Sequence, residues 1–456
     1  MDGHDDDRRK GARGQGGSQG GSKGGDKPRR PVAGLDARQA ALDVLRLVRR
    51  GDGLDKALGI CRSFDALEGP DRAFARQLAT TVLRRQGSLD ALVETYLKRP
   101  LTPKQDELRA ILRLLAAQIV LLGTPAHAAG YIATELAKGR QETRGYAKLV
   151  NALGRRMAED GRERLAKVPL RADTPGWLWR RLERAYGPKA NRAIAEAHRA
   201  EPPLDITAPR GRAAWAGRLE AEPLGPVTLR RTSGGRIEEL DGFDEGAWWV
   251  QDLAATLPVS LFGDVSGRTA YDLCAAPGGK TMQLCAGGAS VTALDSSAGR
   301  MSLLEGNLGR VGHTARLVVA DVLAWQPDGP ADLVLLDAPC SATGTARRNP
   351  DVLRAKDEQL AQGLAKLQDA MIDAAARMVA PGGTLVFSTC SLLPVEGEER
   401  AEAALARLDG FERVPVTPDD LGGLTGLVTK AGDLRCHPGK APGMDGFFAT
   451  RLRRTG

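Results

Sequence analysis

Asp272-Leu273-Cys274-Ala275-Ala276-Pro277-Gly278-Gly279-Lys280-Thr281 decides how the second half of this chain folds. It starts inside a short apolar run, Thr269–Leu273, passes through small residues and two glycines, and enters a helical pattern over Thr281–Cys285. A strand that feeds a helix through such a turn is a βα unit. Its small residues let the backbone N–H groups at the helix start approach a ligand closely. The glycines lack the G-x-G-x-x-G spacing of a dinucleotide pyrophosphate loop, and they also lack the P-loop spacing, which argues against an ATPase.

On either side of this loop the same texture repeats. Short apolar runs at Ser290–Leu294, Leu317–Val319, Asp332–Leu336 and Thr384–Ser388 alternate with helical patterns at Arg300–Val311 and Asp357–Val379. Repeated βα units predict a mostly parallel sheet with helices on both faces and a ligand beyond the carboxyl ends of its strands. Three of those ends carry acids: Asp295, Asp321 and Asp337. An acid closing the second strand is placed to accept hydrogen bonds from both hydroxyls of a ribose, and one at the third to accept an exocyclic adenine amine. Either acid alone is more often a helix N-cap than a ligand. Together with the glycine loop they point to an adenosine-bearing cofactor without a pyrophosphate.

Two strand ends also carry cysteines, in Asp337-Ala338-Pro339-Cys340-Ser341 and Ser388-Thr389-Cys390-Ser391. A single cysteine in a core is ordinarily structural. Two at matching strand ends, beside Asp337 and a cofactor loop, point to chemistry. A thiol with an ordinary pKa near ~8.5 is ionised to about 3% at neutral pH, and lowering that value to ~7 raises the reactive fraction roughly 15-fold. A thiolate is the nucleophile suited to an electron-poor ring carbon.

The rest of the chain bounds the setting. Its 456 residues suffice for several domains, with a formal charge of +8. The excess is uneven: residues 1–34 carry a net +3, residues 35–165 a net +7 and residues 166–456 a net −2. A basic front points to an anionic partner, with nucleic acid the first candidate, although solvated helix faces give the same count. Residues 1–34, with ten glycines, have little to bury and are expected to be a disordered tail. Residues 35–165 show helical spacing, as in Leu108, Ile111, Leu112, Leu115 and Ile119, and predict an all-α domain. Its arginines and lysines at 46, 49, 50, 84, 85, 98 and 99 are the expected RNA-binding face. Residues 166–245, with a helical stretch at Trp177–His198 and a β-leaning region at Leu204–Leu240, read as an α+β connector, and residues 246–456 as the catalytic domain. Six sparse cysteines without a C-x-x-C pair, and a start without a secretory apolar core, point to a reducing cytoplasm. No apolar run reaches the ~18 residues of a membrane span, and no metal site or obligate protein partner is expected.

DLCAAPGGKT (272–281), DAPCSATGTARRNPD (337–351) and STCSLLPVEGEE (388–399) resemble the motifs of the Nop/Sun type RNA cytosine-C5 methyltransferases. Gly246-Ala247-Trp248-Trp249-Val250-Gln251-Asp252 resembles the family's lead-in, while Leu253-Ala254-Ala255 departs from its usual acidic-and-serine continuation. Arg435-Cys436-His437-Pro438 and Gly443–Ala449 resemble its closing strands, with Cys436 structural. With a NusB-like helical domain in front, residues 35–456 are similar to the bacterial members that act on small-subunit (16S) ribosomal RNA.

The resemblance implies a Rossmann-like class I domain that uses S-adenosyl-L-methionine. It assigns Cys274, Ala275, Ala276, Pro277, Gly278, Gly279, Lys280, Asp295, Asp321 and Asp337 to the cofactor pocket. It makes Cys390 the nucleophile and Cys340 the residue that assists release. Asp337 is also expected to hydrogen-bond the target base. Lys280 reads equally as a contact to the cytosine or a cap for the loop. Arg347, Arg348 and Asn349 are expected to meet the flipped nucleotide or its phosphates. Transfer RNA is the alternative substrate, and a non-catalytic RNA-binding assembly factor is the alternative of a different class.

Overall fold

The computed structural model describes residues 34–233 and 235–456; the glycine-rich segment, Gly34 apart, lies outside them. The front is all helical. Helices Leu35–Arg49, Gly69–Arg84, Gln86–Glu94, Asp106–Ala116, Ala126–Lys138 and Ala147–Ala166 pack around one core. Leu108, Ile111, Leu112 and Leu115 recur every three or four residues and are wholly buried, so the helix Asp106–Ala116 presents its apolar stripe to the others. Ala37, Ala40 and Ala41 are as buried, and their small side chains let Leu35–Arg49 lie close against Gly69–Arg84.

The expected basic face is divided. Arg46 pairs with Glu107 at 2.9 Å, Arg85 with Asp173 at 3.2 Å, and Arg84 donates to the carbonyl of Arg347 at 2.8 Å. Arg49, Arg50, Lys98 and Arg99 stay exposed.

A helix Gly176–Arg199, broken at Gly187-Pro188 where Gly187 takes φ 79°, leads into a small antiparallel sheet. Its strands are β1 (Leu204–Thr207), β2 (Glu222–Leu224), β3 (Thr228–Arg231) and β4 (Trp249–Val250), in the order β2-β3-β1-β4. β4 pairs with β1 across residue 245. The β-leaning stretch also contains a helix, Arg212–Arg218, whose alternation is too short to separate it from its flanks.

The large sheet holds β5 (Thr269–Leu273), β6 (Ser290–Asp295), β7 (Arg316–Val319), β8 (Ala331–Asp337), β9 (Val379–Thr389), β10 (Phe411–Arg413), β11 (Leu434–Cys436) and β12 (Phe447–Arg454). Its order is β10-β12-β9-β8-β5-β6-β7, with β11 beside β12. β5 to β9 are parallel, whereas β12 runs antiparallel to β9 and pairs with β10 and β11. Leu333, Val334, Leu335 and Leu336 are all fully buried, as expected of a central strand covered on both faces. From β5 the chain winds outward to β7 and then returns to β8 on the other side, so the connections diverge above Leu273 and Asp337. That divergence opens a crevice at the carboxyl ends, where ligands bind in such sheets. Among the described residues no helix is long and apolar enough to cross a membrane.

Candidate active site

The loop after β5 approaches the crevice through two left-handed residues, Cys274 at φ 65° and Gly278 at φ 108°. A Cβ on Gly278 would come within 2.9 Å of Leu304 Cγ, so only glycine closes this turn over the helix Ala298–Arg310. Below it, Asp272 is wholly buried and accepts from Thr281 Oγ1 at 2.6 Å, while its second oxygen has no partner. Burial pushes its carboxyl up to about 7.

Asp295, at the end of β6, is 2% exposed. It accepts from the N–H of Ala276 at 3.2 Å and of Ser297 at 3.0 Å, tying the glycine loop to the next turn. Arg300 lies 3.4 Å from the same carboxylate. Asp321, past β7, is exposed and accepts from Leu323 N at 2.9 Å.

Asp337 ends β8 in register with Ser388 of β9 and accepts from its hydroxyl at 2.9 Å. The other Asp337 oxygen takes Lys280 Nζ at 2.8 Å. Burial works against the Lys280 ammonium, but the Asp337 carboxylate outweighs it and raises the amine above its ordinary value. Of the two sequence readings of Lys280, base contact or loop cap, the structure gives it a third partner, Asp337. Its Nζ also sits 5.0 Å from the centre of the Phe447 ring.

The two cysteine loops converge here. Cys340 Sγ and Cys390 Sγ are 3.4 Å apart, although 50 residues separate them. The hydrogen bond to Cys390, then burial, then the charges of Cys390 and Glu396 raise Cys340 far above the ordinary thiol range. Gly344 stitches the loops together: its N–H donates to the Cys390 carbonyl at 2.9 Å, and its own carbonyl accepts from Gly446 N at 2.9 Å. A Cβ there would lie 2.1 Å from the Gly446 oxygen. Burial holds Cys274, Cys285 and Cys436 in their neutral form. Burial first, then nearby carboxylates, pushes Cys274 up to about 12, and burial takes Cys436 to about 12.

The expected role of Arg347 and Arg348 as contacts to the nucleotide is corrected by their surroundings. Arg347 is buried and reaches Asp252 at 3.2 Å and Asp445 at 3.1 Å, while Arg348 meets Asp252 at 2.9 Å. A guanidinium inside the protein must be neutralised there, which commits these donors to the internal carboxylates. Burial disfavours the Asp252 carboxylate, but Arg348 and Arg347 outweigh it and hold the group below its ordinary value. Asp252 also caps the helix Leu253–Ser260 through Ala254 N at 2.9 Å. The lead-in and closing motifs around Asp252 and Asp445 are visible in the sequence, but their pairing is not.

Glu396 also escapes sequence reasoning. It is fully buried between the cysteine loops and accepts from Ser341 N at 2.8 Å and Ser391 Oγ at 2.6 Å. Its position inside STCSLLPVEGEE is the only signal. Among the described residues, no group of three or more His, Cys, Asp or Glu side chains is arranged to hold a metal ion.

Both parts of the chain are similar to known proteins. Residues 261–453 match the family model described as 16S rRNA methyltransferase RsmB/F, and residues 35–159 match the NusB family. The chain is 33% identical over 433 residues to the ribosomal RNA small subunit methyltransferase B of Cronobacter sakazakii, covering 91% of this chain and 97% of that one. It is 33% identical over 439 residues to the protein of that name from Xanthomonas campestris, covering 92% and 98%. Among solved structures, that of PH0851 has a TM-score of 0.72 at 23% identity, over 92% of this chain and 99% of the other. NSun6 from Pyrococcus horikoshii has a TM-score of 0.53 at 20% identity, over 62% and 98%. These two likenesses show the fold, a NusB-type helical front being present here beside the methyltransferase sheet. On the identity and coverage of its curated relatives, the chain belongs to the ribosomal RNA small subunit methyltransferase B family.

Proposed function

We propose that the protein methylates carbon 5 of a cytosine in 16S ribosomal RNA from S-adenosyl-L-methionine, through a covalent bond between Cys390 and carbon 6 of the base. The observation that carries this reading is the pair of thiols 3.4 Å apart at two strand ends, beside Lys280 and Asp337.

The strand-end residues fit the cofactor. The helix Gly279–Ala286 offers its first-turn backbone amides, which no side chain caps, and Asp295 and Asp321 offer acceptors for ribose hydroxyls and an adenine amine. Asp337, partly exposed, supplies negative charge near a cationic donor. The unpartnered buried oxygen of Asp272 adds a further acceptor beneath the loop. When bound, S-adenosyl-L-methionine supplies an electrophilic methyl for an electron-rich carbon.

The chain's own residues make that carbon electron-rich. Cys390, its proton released to solvent, adds to carbon 6 as the thiolate, which places electron density on carbon 5. Lys280 and Asp337 line the same crevice and stabilise charge that develops on the base. Cys340 remains a thiol while it is hydrogen-bonded to the Cys390 sulfur. Once that sulfur is bonded to carbon 6, the largest influence raising Cys340 is gone, so it can release its own proton to solvent and, as the thiolate, take the proton from carbon 5. Departure of Cys390 then restores the aromatic ring. The base must be flipped from its stack to reach this pocket. The exposed Arg50, Lys98 and Arg99 support phosphate contact by the front. The six cysteines are free, which supports a reducing cytoplasmic setting.

Replacement of the two cysteines tests the mechanism. Cys390→Ala is expected to lower turnover by about 10⁴-fold or more and to form no adduct. Cys340→Ala is expected to accumulate a protein–RNA adduct that survives a denaturing gel. Turnover retained in Cys390→Ala would sink the covalent reading. Bisulfite sequencing of RNA from a strain lacking the gene identifies the cytosine and separates ribosomal from transfer RNA.

A further inference from the structure

Glu396 has no part in the proton and methyl transfers above, yet its carboxylate is fully buried between the loops that carry them. Oε1 accepts from Ser341 N at 2.8 Å and Gln368 Nε2 at 3.4 Å. Oε2 accepts from the Ser341 hydroxyl and, at 2.6 Å, from Ser391 Oγ. The Glu396 carbonyl accepts from Thr389 Oγ1 at 2.9 Å, and Gln368 also holds the carbonyl of Pro339 at 2.9 Å. Pro339 and Ser341 flank Cys340, whereas Thr389 and Ser391 flank Cys390. One residue therefore ties together the neighbours of both thiols.

The donors to this carboxylate are neutral groups. Burying a charge against neutral donors costs free energy that an apolar side chain of similar volume does not incur. Stability alone is a poor reason for a carboxylate at this position.

We propose that Glu396 is a positioning residue that sets the two cysteines at their working separation and makes them unequal, so that Cys390 rather than Cys340 is the nucleophile. The inference rests on the covalent mechanism above. Two thiols 3.4 Å apart are chemically identical until their surroundings differ. The Glu396 carboxylate sits on the backbone N–H that follows Cys340, and a negative charge there disfavours a Cys340 thiolate. On the other side, the Lys280 ammonium lies within electrostatic reach of Cys390.

Glu396→Gln tests it by a readout that a merely structural role would leave alone. The full-length protein is alkylated with iodoacetamide across a pH series, and the modified cysteines are mapped by peptide mass spectrometry. The wild-type protein is expected to alkylate at Cys390 in large excess. In Glu396→Gln that preference is expected to fall about tenfold, with Cys340 reacting at lower pH. Because both loops lose an anchor, kcat falls about tenfold to a hundredfold while KM for RNA is unchanged. Glu396→Asp keeps the charge but shortens the reach, so it is expected to retain the preference for Cys390 and lose kcat. It carries the test alone if Glu396→Gln does not fold. The proposal is overturned by an unchanged alkylation ratio and pH profile in Glu396→Gln, by equal alkylation of the two cysteines in the wild-type protein, or by wild-type kcat in Glu396→Asp. The covalent mechanism fails separately, on the absence of an RNA adduct from Cys340→Ala.

Discussion

Between Leu35 and Ala166 the buried side chains are mostly hydrocarbon and none is charged, with Ser88, Gln118 and Thr143 among the few polar ones. Between Trp249 and Arg454 the interior holds Asp252, Asp272, Asp295, Arg347, Glu396, Arg435 and Asp445. Both regions fold on amphipathic patterns, but they place their charges differently. The front keeps most of its ion pairs at or near the surface, as with Arg46 and Glu107, while the α/β part draws them inside. A module that only offers a surface needs a stable core beneath it. A module that must hold reacting groups within a fraction of an ångström needs partners whose geometry cannot relax, and buried hydrogen-bonded charges supply that at a cost in stability.

The contrast can be broken experimentally, starting inside the catalytic part. Arg347→Ala leaves Asp252 and Asp445 without their shared guanidinium, and it is expected to cost about 3–5 kcal/mol in a denaturant titration. A destabilisation under about 1 kcal/mol would show that water reaches these carboxylates. Ile111→Ala in the front removes hydrocarbon from a fully buried site and is expected to cost about 2–5 kcal/mol, by cavity formation rather than broken charge pairing.

A smaller effect is expected from Asp272, whose carboxyl burial pushes up to about 7. The folded state keeps a proton there that the unfolded chain has released above about pH 4, so this group's stabilising contribution is lost as pH rises toward 7. Asp272→Asn cannot ionise and is expected to raise the melting temperature by a few degrees at about pH 8, with the gain shrinking as pH falls toward about 4. The smallest structural effect belongs to the exposed front. Replacing Arg50, Lys98 and Arg99 together by glutamate is expected to change stability by less than about 0.5 kcal/mol per site. The same variant should weaken RNA binding and reduce its dependence on log[salt] by about 0.7–0.9 for each phosphate that is no longer neutralised. An unchanged salt slope would return these residues to the role of solvated helix faces.

Much of this organisation is legible in the chain. The five parallel strands lie within a few residues of where the sequence predicts them, because a covered strand leaves a run such as Leu333–Leu336 and each is bounded by turn residues. The glycine loop, the strand-end acids and both cysteines are legible for the same reason: each sits at a fixed offset from a strand that can be recognised locally. The antiparallel edge is harder. β10 has three residues, too few for a period, and β12 declares its direction only by pairing with β9. Arg347 and Arg348 mislead because clustered basic residues resemble a phosphate site until their carboxylates, 95 and 98 positions away from Arg347, are seen beside them.

The elements, their order and the residue types at each strand end follow from local periodicity and turn chemistry. Which groups meet is settled by packing across the sheet: Cys340 with Cys390, Lys280 with Asp337, Glu396 with both cysteine loops, and Arg347 with Asp252 and Asp445. The physical reason is one of range. Backbone propensity acts over a few neighbouring residues, whereas the separation and charge environment of a catalytic pair are set by how strands 50 residues apart come into register and by which buried group links their loops.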